Sequence, residues 1–241
     1  MELPAELAYS AGIRRYLFGR DRLLRALKCS AVVVALLVFA LLLQYAVAYF
    51  ETPKVVAIAE QSNTLPLTIN DFHGSRLEWL LEVQDPDFYH HPGFDWWTRG
   101  AGYTTVTQGL VKRLFYPSGF KRGFLRWRKI QQTTIALAFT SRVPKNEQLR
   151  LFVNLAYMGT RNGHPIVGFS QAAQEYFGKN FQALTDEEYL SLVAVLVSPE
   201  RYSPATHLAA NQERVTRIHR LIAGTCKPNG LTDVEYVGCS Q

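Results

Sequence analysis

The sequence predicts a mainly α-helical protein in which a single N-terminal transmembrane helix precedes one helical domain. Three observations carry this. Residues 30–50 hold no formal charge, and about 20 apolar residues span a bilayer as a helix. Ser75 with Glu78, and Thr185 with Glu188, are capping-box pairs that open helices. Apolar residues then recur at helical spacing, as in Leu77, Leu80 and Leu81, in Leu149, Phe152, Val153 and Ala156, and in Leu190, Val193, Ala194 and Val197. The segments expected are a basic stretch (1–29), an anchor (30–50), a membrane-proximal linker with Pro53 and Pro66 (51–74), the helical domain (75–224) and a C-terminal tail (225–241).

The N-terminal segment sets six bases, Arg14, Arg15, Arg20, Arg22, Arg25 and Lys28, against the acids Glu2, Glu6 and Asp21. A basic flank places the N-terminus in the cytoplasm and the domain beyond the membrane. A cleaved signal peptide is the competing reading, but the apolar run is long for one and no small-x-small site follows it cleanly. Of the net charge of +6, the first thirty residues supply +3, six bases minus three acids, and the remainder supplies the other +3. Residues 96–146 contain no acid and ten bases. Such a window suits a polyanionic partner, namely nucleic acid, anionic lipid heads or a pyrophosphate, or it is a solvated basic face. Outside the cytoplasm nucleic acid is not the expected partner. Cys29 lies at the inner edge of the anchor. Cys226 and Cys239 fall in the compartment expected to be oxidising, where they either pair or stay free in a loose tail.

Chemistry concentrates in residues 83–95, V-Q-D-P-D-F-Y-H-H-P-G-F-D. Asp85, Asp87, His90, His91 and Asp95 lie among Phe88, Tyr89 and Phe94, and Pro86, Pro92 and Gly93 force a loop at a helix exit. By itself this reads equally as a surface turn. It resembles, however, the first signature, E-D-x-x-F-x-x-H-x-G, of the family-51 glycosyltransferases, the peptidoglycan polymerases found alone or as the first module of bifunctional penicillin-binding proteins. Asp85, Phe88, His91 and Gly93 are in register, and Gln84 stands at the first position. Residues 100–115 resemble the second signature, G-G-S-T-I-T-Q-Q-L-V-K-N-L. Gly102, Thr105, Thr107, Gln108, Leu110, Val111, Lys112 and Leu114 are in step, with Tyr103, Thr104 and Gly109 as departures. R-K-I-Q-Q resembles R-K-x-x-E, with Arg128 and Lys129 kept and Gln132 in the acidic place; Trp127, Ile130, Thr134 and Leu137 or Ala138 repeat along that helix. In residues 144–158, Lys145, Leu149 and Asn154 match while Gln148, Arg150 and Phe152 do not, and a plain packing helix accounts for them as well. A-A-Q-E-Y-F-G-K and S-P-E-R-Y-S-P complete five ordered segments over residues 80–204. A last helix over 206–223 is expected to carry Arg214, Arg217 and Arg220 on a polar side.

The resemblance implies a lysozyme-like two-lobed helical domain of the monofunctional type, since the remaining residues leave no room for a transpeptidase module. It also implies the family's reaction, in which an acceptor sugar hydroxyl displaces undecaprenyl pyrophosphate from a lipid-linked disaccharide. That attack needs a proton acceptor, and the leaving group needs cations. Carried over residue by residue, Gln84 occupies the base position and Gln132 the supporting one, with Asp85 adjacent. Lys112, Arg128 and Lys129 map onto the cations. His91, Gly102, Thr104, Thr105, Gln108 and Asn154 map onto substrate-facing positions, and the glycine-bearing loop 116–124 onto a mobile element over the groove. Lipid II, glycan strands, the membrane and other cell-wall synthesis proteins are the implied partners. No cofactor is required, with room for a divalent cation such as Mg at the pyrophosphate. An amide has no basic site near neutral pH, so three readings follow: a binding groove without catalysis, a polymerase using another base such as Asp85, and, remotely, a lysozyme-like lytic enzyme, for which no positioned acid is found.

Overall fold

The computed structural model describes residues 5–62, 64–117, 119 and 125–240, the side chains of 5–23, 125 and 126 excepted. Two compact units result, Met1–Gln44 and Tyr45–Gln241. Helix α1 spans Ala5–Ser62. Its stretch Leu24–Ser62 is long and apolar enough to cross a membrane, with a mean hydropathy of 2.6 over its most apolar window. Leu36 and Phe39 expose more than 60% of their surface, as on a helix that is apolar all round and a candidate membrane span.

The linker expected over 51–74 is helical as far as Ser62, through Pro53. Pro53 removes one helical donor, and the Thr52 hydroxyl donates to the Ala48 carbonyl one turn back at 2.6 Å. What the reading missed is a face of small residues. Ala48, Thr52 and Ala59 are buried, and they lie on the side that packs against the second unit's own helices. Tyr45 and Ser141 share a hydroxyl hydrogen bond of 2.9 Å, the Arg142 guanidinium lies 4.6 Å from the Tyr49 ring centroid, and Arg150 joins Glu60 to Glu147.

The domain then runs through a 3-10 turn Ile69–Asp71, α2 Arg76–Gln84, α3 Val106–Phe115, α4 Leu125–Thr140, α5 Lys145–Leu155, the hairpin β1 Tyr157–Arg161 and β2 His164–Val167, α6 Gly168–Phe177, α7 Asp186–Val195 and α8 Leu208–Ile222. Thr105 and Thr185 form capping boxes with Gln108 and Glu188. The box expected at Ser75 does not form, because Ser75 has ψ 10° and its side chain makes no cap. Gly178 ends α6 in the left-handed region at φ 65°. The antiparallel hairpin, which helical periodicity did not anticipate, turns at Asn162 and Gly163, both with positive φ, and pairs Arg161 with His164. Asn-Gly suits such a two-residue turn.

Two hydrophobic clusters form. One draws on α2, α5, α6, α7, α8 and the C-terminal segment, with Leu80, Leu149, Phe169, Tyr189 and Ile218 fully enclosed. The other joins the end of α1 to α3, α4 and α5 through Val111, Phe139, Leu151 and Leu155. Phe152 packs against both. On α4 the expected stripe is only partly inward: Ala138 is buried, but Trp127, Thr134 and Leu137 are half-buried. Ile130 is exposed, while Gln132, Thr133, Ile135, Ala136 and Phe139 are buried. The polar pair Gln132 and Thr133 faces α3, and polar residues are invisible to an apolar period. Arg214 and Arg217, expected on a polar side of α8, are also buried. The tail is packed too: Cys226 and Cys239 form a disulfide, and Tyr236 donates to the Val83 carbonyl.

Asn154 belongs to this framework. It is buried, accepts from the Leu67 amide at 3.0 Å and donates to the Leu67 and Arg150 carbonyls, both at 2.8 Å. Its hydrogen-bonding capacity is spent on the backbone, so it holds residue 67 and does not face a ligand. Asn154→Ala is expected to lower the unfolding free energy by about 2 kcal/mol, the cost of leaving buried backbone groups unpaired. A change below about 0.5 kcal/mol in chemical denaturation would show that water replaces the amide.

Candidate functional site

The exit of α2 and the start of α3 meet over a cleft of about 780 Å³. Gln84, Gly102, Thr104, Thr105, Lys112 and Arg113 line it, with Tyr157 and Arg214 from other elements and Thr232 and Val234 from the C-terminal segment. Among the described lining residues none is acidic.

Asp85 lies behind this surface. It is fully buried. Its two oxygens lie 2.9 and 3.0 Å from His91 Nε2, and Oδ2 accepts from the Val106 amide at the start of α3 at 2.9 Å. His91 Nδ1 accepts from the Gly93 amide at 3.0 Å, so Nε2 carries the proton and donates to Asp85. The pair is a structural tie, and both side chains are buried behind the cleft surface. Gln108 is likewise interior: its amide nitrogen donates to Thr133 Oγ1 at 2.9 Å. Its carbonyl oxygen accepts from Lys129 Nζ at 2.8 Å. Thr105 caps α3, donates to the Gly93 carbonyl at 2.8 Å and still borders the cleft.

Lys129 lies at the junction of site and interior. Its ammonium donates to Thr104 Oγ1 at 3.1 Å, to Gln108 and, at 3.3 Å, to Gln132 Oε1. Burial, aided by the neighbouring charge of Lys112, pulls its pKa down to about 8. Arg128 occupies the same turn of α4, half-buried. The expected loop 116–124 lies, apart from residues 116, 117 and 119, outside the described residues.

The two glutamines are bonded as amides. Gln132 Nε2 donates to the Gln108 carbonyl at 2.7 Å, while its Oε1 accepts from Lys129. An ammonium only donates and a carbonyl only accepts, so this orientation is set by chemistry. Gln84 Nε2 donates to the Val193 carbonyl of α7 at 3.4 Å. A glutamate at either place has no donor for that carbonyl.

Arg214 went unrecognised in the sequence. Its guanidinium carbon lies 5.3 and 5.4 Å from the Tyr202 and Tyr236 ring centroids. Nε and Nη1 have no hydrogen-bond partner among the described residues, and burial lowers its pKa, with Tyr236 and Tyr202 opposing. Its spacing to Ile218 and Leu221, one and two turns on, was the available signal that it shares the inward face. No group of three or more His, Cys, Asp or Glu able to hold a metal is found among the described residues.

Comparison with known proteins decides the affiliation. A family model described as transglycosylase matches residues 52–223. The chain belongs to the transglycosylase family. This family member is similar to penicillin-binding protein 1F of Bacillus subtilis, 30% identical over 172 residues, covering 66% of this chain and 23% of that protein. It is 30% identical over 156 residues to penicillin-binding protein 1B of Escherichia coli, covering 59% of this chain and 18% of that one. The same-named protein of Vibrio cholerae is 27% identical over 186 residues, covering 70% and 23%. The chain thus spans less than a quarter of the length of these curated relatives. The transglycosylase match begins at residue 52, inside α1, in keeping with the packing of that helix end on the domain.

Gln132→Glu would set a carboxylate where Lys129 now meets an amide oxygen. An opposite charge within about 4–6 Å favours the ammonium, so the Lys129 pKa is expected to rise from about 8. Titration of isotope-labelled lysines by NMR reads this directly. A Lys129 that still titrates near 8 would mean that the introduced carboxylate has turned away from it.

Proposed function

We propose that this chain is a membrane-anchored member of the transglycosylase family that binds lipid II or glycan strands in cell-wall biogenesis and is impaired as a polymerase. The observation that carries the reading is the cleft: cations line it, and no described lining residue is a carboxylate. A pyrophosphate finds Lys112 and Arg113 at the cleft wall, with Lys129 just behind and Arg214 buried beneath it. Among the described lining residues the attacking sugar hydroxyl finds no carboxylate to accept its proton. Gln84 and Gln132, in the positions that the family resemblance gives to glutamates, donate to backbone carbonyls, so the local structure supports the amide state.

A polymerase that uses Asp85 instead is disfavoured by its enclosure behind His91 and the α3 amide. A lytic enzyme lacks a positioned acid in the same cleft. The chain's own residues would bring no carboxylate to a divalent cation here, so Mg would enter with the pyrophosphate. Other cell-wall synthesis proteins are the partners such a binding module would serve.

Labelled lipid II tests this with the detergent-solubilised chain. The expected result is retention of lipid II with little or no polymer, because loss of a general base costs roughly 100- to 10,000-fold. Gln84→Glu with Gln132→Glu should raise polymerisation, and Gln84→Glu alone should recover more than Gln132→Glu alone. Robust polymerisation by the unmodified chain, or no lipid II binding, would sink the proposal.

The anchored topology places residues 1–29 in the cytoplasm and the domain outside it, where a disulfide such as Cys226–Cys239 persists. Reporter fusions after Thr52 should be active only outside the cytoplasm. Activity confined to the cytoplasm would reverse the orientation.

A further inference from the structure

The segment after α8 forms part of the cleft. The Gly230 and Leu231 carbonyls accept from the Gly100 and Gly102 amides, both at 2.8 Å. Gly100 and Gly102 have φ of +77° and +70°. A Cβ on Gly102 would come within 2.6 Å of Val234 Cγ1, and one on Gly100 within 2.7 Å of Pro228. The approach therefore leaves no room for a side chain at either glycine. Thr232 and Val234 line the cleft from this side. Tyr236 also lies against the Arg214 guanidinium.

Other contacts hold the segment as well, among them the Tyr236 hydroxyl on the Val83 carbonyl. Asp233 organises it from within, accepting from the Asn229 and Val237 amides, both at 2.9 Å. Outward, Arg220 donates to the Cys239 carbonyl at 2.8 Å, Arg201 pairs with Glu235 on the surface, and Tyr236 and Cys239 are buried. The disulfide closes the loop over a separation of 13 residues, and Cys226 is its half-buried partner, Cys239 being fully buried.

We propose that this segment, closed by Cys226–Cys239, is a redox-controlled wall of the cleft. With the bond formed, Leu231–Val234 are held against Gly100–Gly102. The reductant is a dithiol. Its thiolate attacks the Cys226 sulfur and displaces Cys239 as thiolate, and its second thiol then resolves the mixed disulfide. Two electrons and two protons end on the cysteine pair, and the dithiol becomes a disulfide. A cross-link over a loop of this length restricts the opened chain and so favours the closed arrangement. Reduction removes that bias and frees the Gly100 and Gly102 amides. The proposal holds whichever ligand the cleft takes.

Hydrogen–deuterium exchange on the full detergent-solubilised chain tests it, oxidised and after dithiothreitol, with the Cys226→Ser/Cys239→Ser variant alongside. The expected result is exchange at residues 98–104 at least tenfold faster in the reduced chain and the variant, with α7 unchanged. Unchanged exchange at 98–104 would show that the wall stands without the bond. Faster exchange across α7 as well would make the bond a staple of the whole domain. Either result overturns the proposal. Lipid II affinity is measured in both states: equal binding to both also overturns it, whereas no binding to either counts against the proposed function and leaves the exchange result to decide the wall.

Discussion

The interaction on which the site depends is the buried carboxylate of Asp85. It accepts from the first amide of α3 and from His91, and His91 in turn accepts from Gly93. The Gly93 carbonyl takes the Thr105 hydroxyl, and Gly93 lies so close to α4 that a Cβ would meet the Ala136 carbonyl at 2.7 Å. One short circuit thus ties the exit of α2, the loop after it, the cap of α3 and the middle of α4. A carboxylate at a helix N-terminus is favoured by the exposed amides and the helix dipole. Removing one partner of a buried pair costs several kcal/mol, and here it would also loosen the surface that carries Gln84, Thr104 and Lys112.

Onto that frame a second polar layer is built around Lys129. An ammonium half out of water, beside Lys112, titrates near 8, so part of the charge available to an anionic ligand lies within reach of ordinary pH. Gln108, Thr104 and Gln132 satisfy it with neutral oxygens only. Arg214, between two tyrosine rings with Nε and Nη1 unpartnered among the described residues, is a second desolvated cation, opposed only in part by Glu235. Desolvated cations are costly, and a bound anion would relieve that cost.

Much of the architecture was legible in the chain itself. The uncharged run, the Thr185 box, the α5 and α7 stripes and Gly178 each follow from local rules of length, period and backbone freedom, and the structure has those helices. The resemblance of residues 83–95 and 100–115 led to the right family because spacing within one element survives folding unchanged. Sequence also drew attention to Gln84 and Gln132, since residue identity is visible without coordinates.

Which residues face the cleft was settled by tertiary structure alone. Asp85, His91, Gln108 and Asn154 are polar and sit in matched motifs, yet each makes hydrogen bonds inside the protein, because a buried polar group must find a partner, and for Asp85 and Asn154 these include partners 21 and 87 residues away. Arg214 runs the other way: placed on a polar side by composition, it is drawn inward by two tyrosines from distant segments. The docking of α1 beyond Pro53, the inward face of α4 and the wall made by residues 228–236 likewise depend on long-range contacts that no local pattern encodes. Residue types and spacings determined the helices and the family; the partners found across the fold decided which of those side chains hold the structure and which remain to meet a ligand.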